Sequence, residues 1–176
     1  RGVTPSSSPS MDIQVSSNFE RLLFEAYHRD GAAIRALMKE LADTGAFTID
    51  PHALAHIRAD FAAGSADEAA TARTIAATWK ATGFLPDPHT AVGLAVAEAF
   101  VEPGVPMITL STAHAAKFPD AVRAAAGTLP ETPASLAAVA TRDERYTTLA
   151  SDKQTIAEFI AARARASLEI VEAGRR

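Results

Sequence analysis

Apolar residues recur every three or four positions along most of this chain, which is the spacing of one face of an α-helix. Asp-Pro pairs and glycines stand where helices typically begin and end. The pattern predicts helices over residues 19–27, 32–41, 91–101, 119–126 and 135–140, with others starting at Asp50, at Ser65 or Asp67, and at Ser151 or Asp152, the last of these running to about Glu172.

Strand patterns are short and few. Residues 11–15 alternate apolar and polar positions, residues 107–110 are apolar and β-branched, and residues 145–149 suggest an edge strand. Two or three strands do not make a self-sufficient sheet. We therefore expect a helix-rich α/β fold with an incomplete sheet, whose missing strands belong to a longer chain.

Composition narrows the class of protein. The 176 residues are 48% hydrophobic and 22% charged, which is typical of one globular domain. No apolar run approaches the ~20 residues that cross a bilayer, so no membrane partner is expected. The net charge of -4 disfavours nucleic acid as a partner. The absence of cysteine fits a reducing compartment, and we expect a cytoplasmic protein.

The beginning of the chain is unusual. It starts at Arg1 without an initiator methionine, and its first residues lack the apolar segment of a signal peptide. We expect a fragment or a processed product.

One polar cluster follows the predicted strand at residues 107–110. Ser111 and Thr112 come first, then His114 and Lys117. In open α/β sheets, ligands bind at the carboxyl ends of strands, and these donors suit a phosphate or a carboxylate. The alternative interpretation is that the hydroxyls cap a helix and that Lys117 is an ordinary surface residue.

A second polar pair, His89 and Thr90, follows Asp87 and Pro88 at the start of an almost wholly apolar helix. Such a helix is expected to be buried, so its first residues would face a cleft. The unpaired N–H groups there stabilise anions. The alternative is that Thr90 only completes the helix cap.

A metal site is not predicted. His52 and His56 are four residues apart on one helix, but no glutamate lies between them in the H-E-x-x-H pattern and no third ligand is evident. Two exposed histidines are the better interpretation. Patterning alone therefore predicts a helix-rich α/β segment with an anion-binding cleft.

Three motifs add a resemblance. SPSMDIQVSSNFERLLFE at residues 8–25, DPHTAVG at residues 87–93 and LSTAHAAKFP at residues 110–119 resemble threonine synthases of the bacterial and fungal type. These are pyridoxal-phosphate enzymes of the tryptophan-synthase-β fold class. The likeness covers nearly the whole chain in the same order. The family usually reads S-T-A-H-P-A-K-F, and Ala115 stands here in the proline position, which loosens the turn and removes no reactive group.

The resemblance implies that residues 1–176 are the C-terminal portion of a catalytic domain, within a fold-type-II large domain. It also implies pyridoxal 5'-phosphate as cofactor and the conversion of O-phospho-L-homoserine and water to L-threonine and phosphate. A strand-end hydroxyl meets the pyridine nitrogen in this fold class, and we expect Thr112 in that role, with Ser111 second. Expected contacts to the substrate's phosphate or carboxylate are His114, Lys117, His89 and Asn18.

The family's cofactor-carrying lysine and its phosphate-cradling loop are expected upstream of this chain, because no lysine here has either context. The lysines are Lys39, Lys80, Lys117 and Lys153. The segment alone is thus expected to be inactive, with the N-terminal remainder of the protein as its partner. Another fold-type-II lyase or dehydratase is an alternative, and so is a non-catalytic interaction module, which would leave the polar cluster dispersed on the surface.

Overall fold

The computed structural model describes residues 3–13 and 15–164, and these residues form α-helices joined by loops. The helices are α1 (Ser17–Ala26), α2 (Gly31–Thr44), α3 (Pro51–Asp60), α4 (Glu68–Thr82), α5 (Pro88–Ala97), α6 (Pro119–Ala126), α7 (Ala134–Ala140) and α8 (Lys153–Ala161). Short 3-10 turns follow α5 at Glu98–Phe100 and precede α6 at Ala115–Lys117. The chain divides into two compact units, Arg1–Pro133 and Ala134–Arg176.

Helices α1, α2 and α3 share one hydrophobic core. Their apolar faces meet because residues three or four apart lie on one side of a helix. The buried members are Leu23, Ala26, Ile34, Leu37, Ala53 and Ile57. Leu23 is completely buried, which stabilises the fold by about 2 kcal/mol relative to an exposed leucine.

A second packing centre forms around α4, which contacts both α5 and α6. Ile75 of α4 and Val122 of α6 are buried to 1% and 0% exposure, and Ala91 of α5 is fully buried. These contacts fix the start of α5 inside the first unit.

Aspartates begin five of the described helices. Their carboxylates accept backbone N–H groups that a helix start leaves unpaired. The residues are Asp30, Asp50, Asp67, Asp87 and Asp152. The predicted starts at Asp50 and Asp87 are confirmed, and the aspartate is the cap in both pairs that the sequence left open. Ser17 and Glu20 have the three-residue spacing that predicts a capping box, but this prediction is wrong, because Ser16 is the N-cap of α1 and makes no side-chain cap bond.

The predicted strands are wrong for the described residues. None of residues 11–13, 15, 107–110 and 145–149 is in a strand, and Gln14 lies outside the described part. Met11 and Asp12 close a turn instead, donating backbone bonds to Ser8 and Pro9 at 2.8 and 3.3 Å. A strand requires a hydrogen-bonded neighbour, and residues 107–110 have none among the described residues. The helix-rich part of the predicted fold class is confirmed.

Two further predictions about helices need correction. Only the first turn of α5 is buried, while Val92 to Ala97 are half-buried, because α5 packs on α4 along one side. Helix α8 ends at Ala161 rather than near Glu172, and residues 165–172 lie outside the described part. Among the described residues, no helix is both long and apolar enough to span a membrane.

Candidate functional site

The start of α5 is a buried polar centre built on Asp87. This residue is 1% exposed, and its Oδ1 accepts the backbone N–H of His89 at 2.9 Å. The same oxygen lies 3.0 Å from Nδ1 of His89, and Oδ2 accepts the hydroxyl of Thr90. A buried carboxylate is costly unless it is fully hydrogen-bonded. Asp87 therefore serves as more than a helix cap, because it also fixes two neighbouring side chains.

His89 is held at both ring nitrogens. Nδ1 donates to Asp87, and Nε2 accepts a long bond of 3.4 Å from the backbone N–H of Ser10. These partners indicate the neutral tautomer with its proton on Nδ1. The ring also packs against Phe118, with centroids 4.7 Å apart and planes inclined by 54°. This arrangement leaves neither nitrogen of His89 free for a ligand.

Thr90 connects α5 to the segment that carries the predicted cofactor contacts. The Thr90 hydroxyl, 3% exposed as a residue, accepts the backbone N–H of Thr112 at 3.2 Å. One turn further along α5, a Cβ built on Gly93 would lie 3.2 Å from Cγ2 of Thr109. A side chain at residue 93 would thus crowd this segment, which runs close beside the helix.

Ser111 and Thr112 lie on the exposed side of this contact. In the described part of the chain, neither hydroxyl has a hydrogen-bond partner, although the backbone of Thr112 is anchored. An anchored backbone with an open hydroxyl is the arrangement that a ligand-binding donor requires. The structure thus places Thr112 next to the buried start of α5, where Thr90 adjoins His89.

His114 caps the 3-10 turn that follows, and Lys117 is the last residue of that turn. The Nδ1 of His114 accepts the backbone N–H of Ala116 at 3.1 Å, so the ring presents its Nε2 side outward. His114 and Lys117 are both exposed. The turn closes with bonds to the carbonyls of His114 and Ala115, so alanine at residue 115 does not prevent it from forming.

Asn18 is in the first turn of α1. It is exposed on α1, and its side-chain oxygen accepts the backbone N–H of Phe19 at 3.1 Å. It lines a cavity of about 560 Å³ with Ser16, Phe19, Leu22 and Phe61. None of the other five predicted site residues lines that cavity in the part of the chain that the structure describes. A hydrogen bond to Thr90 thus holds Thr112 beside the start of α5, and no contact recorded among the described residues joins Asn18 to either.

Sequence reasoning missed the wider role of Asp87. The pattern identified it as a cap, but not as the residue that orients His89 and Thr90. The useful signal was the threonine three residues after an aspartate, since both side chains of an Asp-x-x-Thr helix start face the same first turn. Phe118 was missed too, because nothing in its neighbourhood in the sequence indicates a partner on α5.

Comparison with known proteins finds relatives of one kind. A family model described as "Threonine synthase, C-terminal" matches residues 90–160. The chain is 41% identical over 158 residues to a threonine synthase of Pseudomonas aeruginosa, an alignment that covers 89% of this chain and 34% of that protein. The chain is therefore similar to threonine synthases over most of its own length. The resemblance drawn from the three motifs is confirmed.

Solved structures of threonine synthases have a similar fold over most of this chain. A structure described as PLP-bound threonine synthase from Brucella melitensis matches with a TM-score of 0.79 and 47% identity, covering 94% of this chain and 36% of that one. Threonine synthase from yeast matches with a TM-score of 0.70 and 29% identity, covering 81% of this chain and 33% of that one. The chain spans about a third of the length of these relatives.

Proposed function

We propose that residues 1–176 are the C-terminal portion of a threonine synthase catalytic domain. The intact protein would use pyridoxal 5'-phosphate to convert O-phospho-L-homoserine and water into L-threonine and phosphate. The observation that carries this proposal is the pair of open hydroxyls, Ser111 and Thr112, held beside the buried start of α5. The similarity of the chain to threonine synthases supports it.

The residues present fit one end of this cofactor. An uncharged hydroxyl donates a hydrogen bond to a pyridine nitrogen without requiring that nitrogen to carry a proton. The hydroxyl of Thr112 has no other partner in the described residues, and its backbone is fixed by Thr90. The four lysines, Lys39, Lys80, Lys117 and Lys153, are exposed, so the lysine that carries the cofactor is proposed to lie in the rest of the protein.

Each side chain then has a defined task. Bound pyridoxal phosphate supplies the electron sink for the carbanion chemistry of the substrate. Thr112 donates its hydroxyl proton in a hydrogen bond to the ring nitrogen, with Ser111 as the second choice. Because a hydroxyl leaves that nitrogen uncharged, the electron sink is weaker than one beside a carboxylate, which restrains side reactions.

Substrate anions would be bound by the neighbouring donors. Lys117 and the outward Nε2 of His114 are exposed donors on the turn after Thr112, and such groups bind phosphate or carboxylate. His89 supports the same site through Asp87 and Phe118. Asn18 is proposed as a further substrate contact, provided by the start of α1.

Exposed apolar residues support the rest of the protein as the partner. Met107, Ile108 and Leu110 are 45%, 80% and 76% exposed, which is unusual for large apolar side chains grouped within four residues of a finished surface. Pairing of this segment with a strand from the N-terminal remainder would cover them and supply the α/β sheet. A cytoplasmic location is part of the same proposal, supported by the absence of cysteine.

Product analysis on the intact protein tests the reaction. We expect L-threonine and phosphate in equal amounts from O-phospho-L-homoserine. Replacing Thr112 with aspartate should lower threonine formation at least ~tenfold, equivalent to 1.4 kcal/mol of lost transition-state stabilisation, and should change the absorption spectrum of the bound cofactor. The control is Thr147→Asp, which places the same charge on an exposed loop of the second unit.

Two results would contradict the proposal. Unchanged activity and an unchanged cofactor spectrum in Thr112→Asp would remove Thr112 from the cofactor site. A different product, such as a 2-oxo acid, would replace the proposed reaction with that of another lyase or dehydratase of the same fold class.

A further inference from the structure

We propose that Asp87 and Thr90 are positioning residues of the cofactor site. The buried carboxylate orients the Thr90 hydroxyl, and that hydroxyl fixes the backbone from which the Thr112 hydroxyl projects. The inference rests on the proposed function, since it assigns a purpose to the placement of Thr112. Neither residue would touch the substrate or the cofactor.

Asp87 sets the direction in which the Thr90 hydroxyl points. A threonine hydroxyl has one proton to donate and two lone pairs that accept. Its proton is given to Oδ2 of Asp87, so the lone pairs are available to the N–H of Thr112, 3.2 Å away. If the carboxylate were absent, the hydroxyl could rotate and present its proton toward that N–H instead.

The side chain of Asp87 is itself held in place by its neighbours. Its carboxylate accepts from the backbone and the ring of His89 as well as from Thr90. With 1% exposure, it has no water shell to offer alternative partners, so its three donors hold it in one orientation. The orientation of the Thr90 hydroxyl is therefore set by the Asp87 carboxylate, which is itself held in place.

Residues 109–118 run beside the start of α5. Thr109 lies against Gly93, Thr112 bonds to Thr90, and Phe118 packs on His89. Among the described residues, the bond from Thr112 to Thr90 is the hydrogen bond that joins this segment to α5. The N–H in this bond belongs to Thr112, whose hydroxyl is proposed to meet the cofactor. Loss of the bond would therefore displace that hydroxyl.

The test uses the intact protein with Thr90→Val, which keeps the branched shape and removes the hydroxyl. Thr90→Ser restores the hydroxyl and should restore the wild-type behaviour. Thr71→Val is the matched control, because Thr71 is similarly buried at 2% exposure, and among the described residues its hydroxyl bonds only to the Asp67 carbonyl, at 2.9 Å within its own helix start.

The first measurement is hydrogen exchange at the Thr112 amide in the cofactor-free protein. The loss of one net hydrogen bond should speed exchange there roughly three- to tenfold in Thr90→Val, and not in Thr71→Val or Thr90→Ser. The second is titration with pyridoxal 5'-phosphate, followed by absorbance. A similar roughly three- to tenfold weaker binding is expected for Thr90→Val, with a raised KM accompanying it.

The outcomes separate the two proposals. Wild-type protein that binds pyridoxal phosphate, with Thr90→Val unchanged in both measurements, would overturn this inference and leave the proposed function standing. Wild-type protein that binds no pyridoxal phosphate would overturn both. If Thr90→Val does not fold, Asp87→Asn replaces it, since the amide keeps a cap acceptor and removes the charge that orients Thr90. Unchanged exchange at Thr112 in that variant would overturn the inference equally.

Discussion

Two helices of this protein begin with the same local motif and use it differently. At α5, Asp87 is followed three residues later by Thr90, and at α8, Asp152 is followed by Thr155. In both, the aspartate accepts a backbone N–H of the first turn and the threonine hydroxyl. Asp87 is buried and Asp152 is exposed. The motif caps the helix in both places. Only the buried one also bonds, through its threonine, to a distant segment of the described chain.

The threonines show what the difference is. Thr155 donates its hydroxyl to Asp152 at 2.8 Å, and the structure records no further partner for it in the described residues. Thr90 donates to Asp87 and also accepts from Thr112, which is 22 residues away in sequence. A local hydrogen bond stabilises a helix by about 1 kcal/mol. A hydroxyl that also reaches a distant backbone positions a second segment.

The largest expected difference between the two motifs follows from removing each aspartate. Asp87→Ala leaves three buried donors without an acceptor, which should lower the free energy of unfolding by about 3 kcal/mol or more. Asp152→Ala should have a far smaller effect, because water replaces the lost acceptor at an exposed helix start. Chemical denaturation of the intact protein measures both. Equal losses in the two variants would show that burial of Asp87 contributes nothing beyond the cap.

The same comparison explains what the sequence could predict. Helix spacing and aspartate caps are local, and they placed the helices correctly, including the start of α5, except for the end of α8. Residues 107–110 were predicted as a strand, but a strand depends on partners that local pattern does not contain, and the described residues offer none. The prediction that α5 is buried along its whole length was wrong for the same reason, since apolar composition does not say which neighbours cover a helix.

The site was predictable in part. Local chemistry identified Thr90 and Thr112 separately, and the motifs linked them through a known family. Their hydrogen bond, the contact of Phe118 with His89, and the orienting role of Asp87 depend on how α4, α5 and α6 pack. Those contacts are long-range, and one sequence without relatives carries no signal for them.

A substitution at the position six residues after each aspartate is expected to have a smaller effect. On α8 this residue is Glu158, and on α5 it is Gly93. Gly93→Ala should gain about 1 kcal/mol of helix propensity, but its Cβ would crowd Cγ2 of Thr109 at 3.2 Å. We expect roughly twofold faster exchange at the Thr112 amide, because the segment must move by a few tenths of an ångström.

The double variant Gly93→Ala with Thr109→Ser sharpens this test. Serine lacks the Cγ2 methyl group that the added Cβ meets, so the exchange rate at Thr112 should return to that of the wild type. Faster exchange that persists in the double variant would mean that crowding at Thr109 is not the cause.

The smallest expected effect is the pH dependence of α8. The backbone N–H and then the hydroxyl of Thr155 bond to Asp152 and hold the pKa of that carboxyl below its ordinary value of 3.8. A lowered pKa in the folded state means that the contribution to stability is complete above the ordinary value and is lost as the pH falls through the lowered one. Amide exchange in α8 should therefore be constant between about pH 5 and 8, after correction for intrinsic rates, and should accelerate below about pH 4. Asp152→Asn should lose this acid response, since an amide caps without titrating; an unaltered response in that variant would assign it to another carboxyl group.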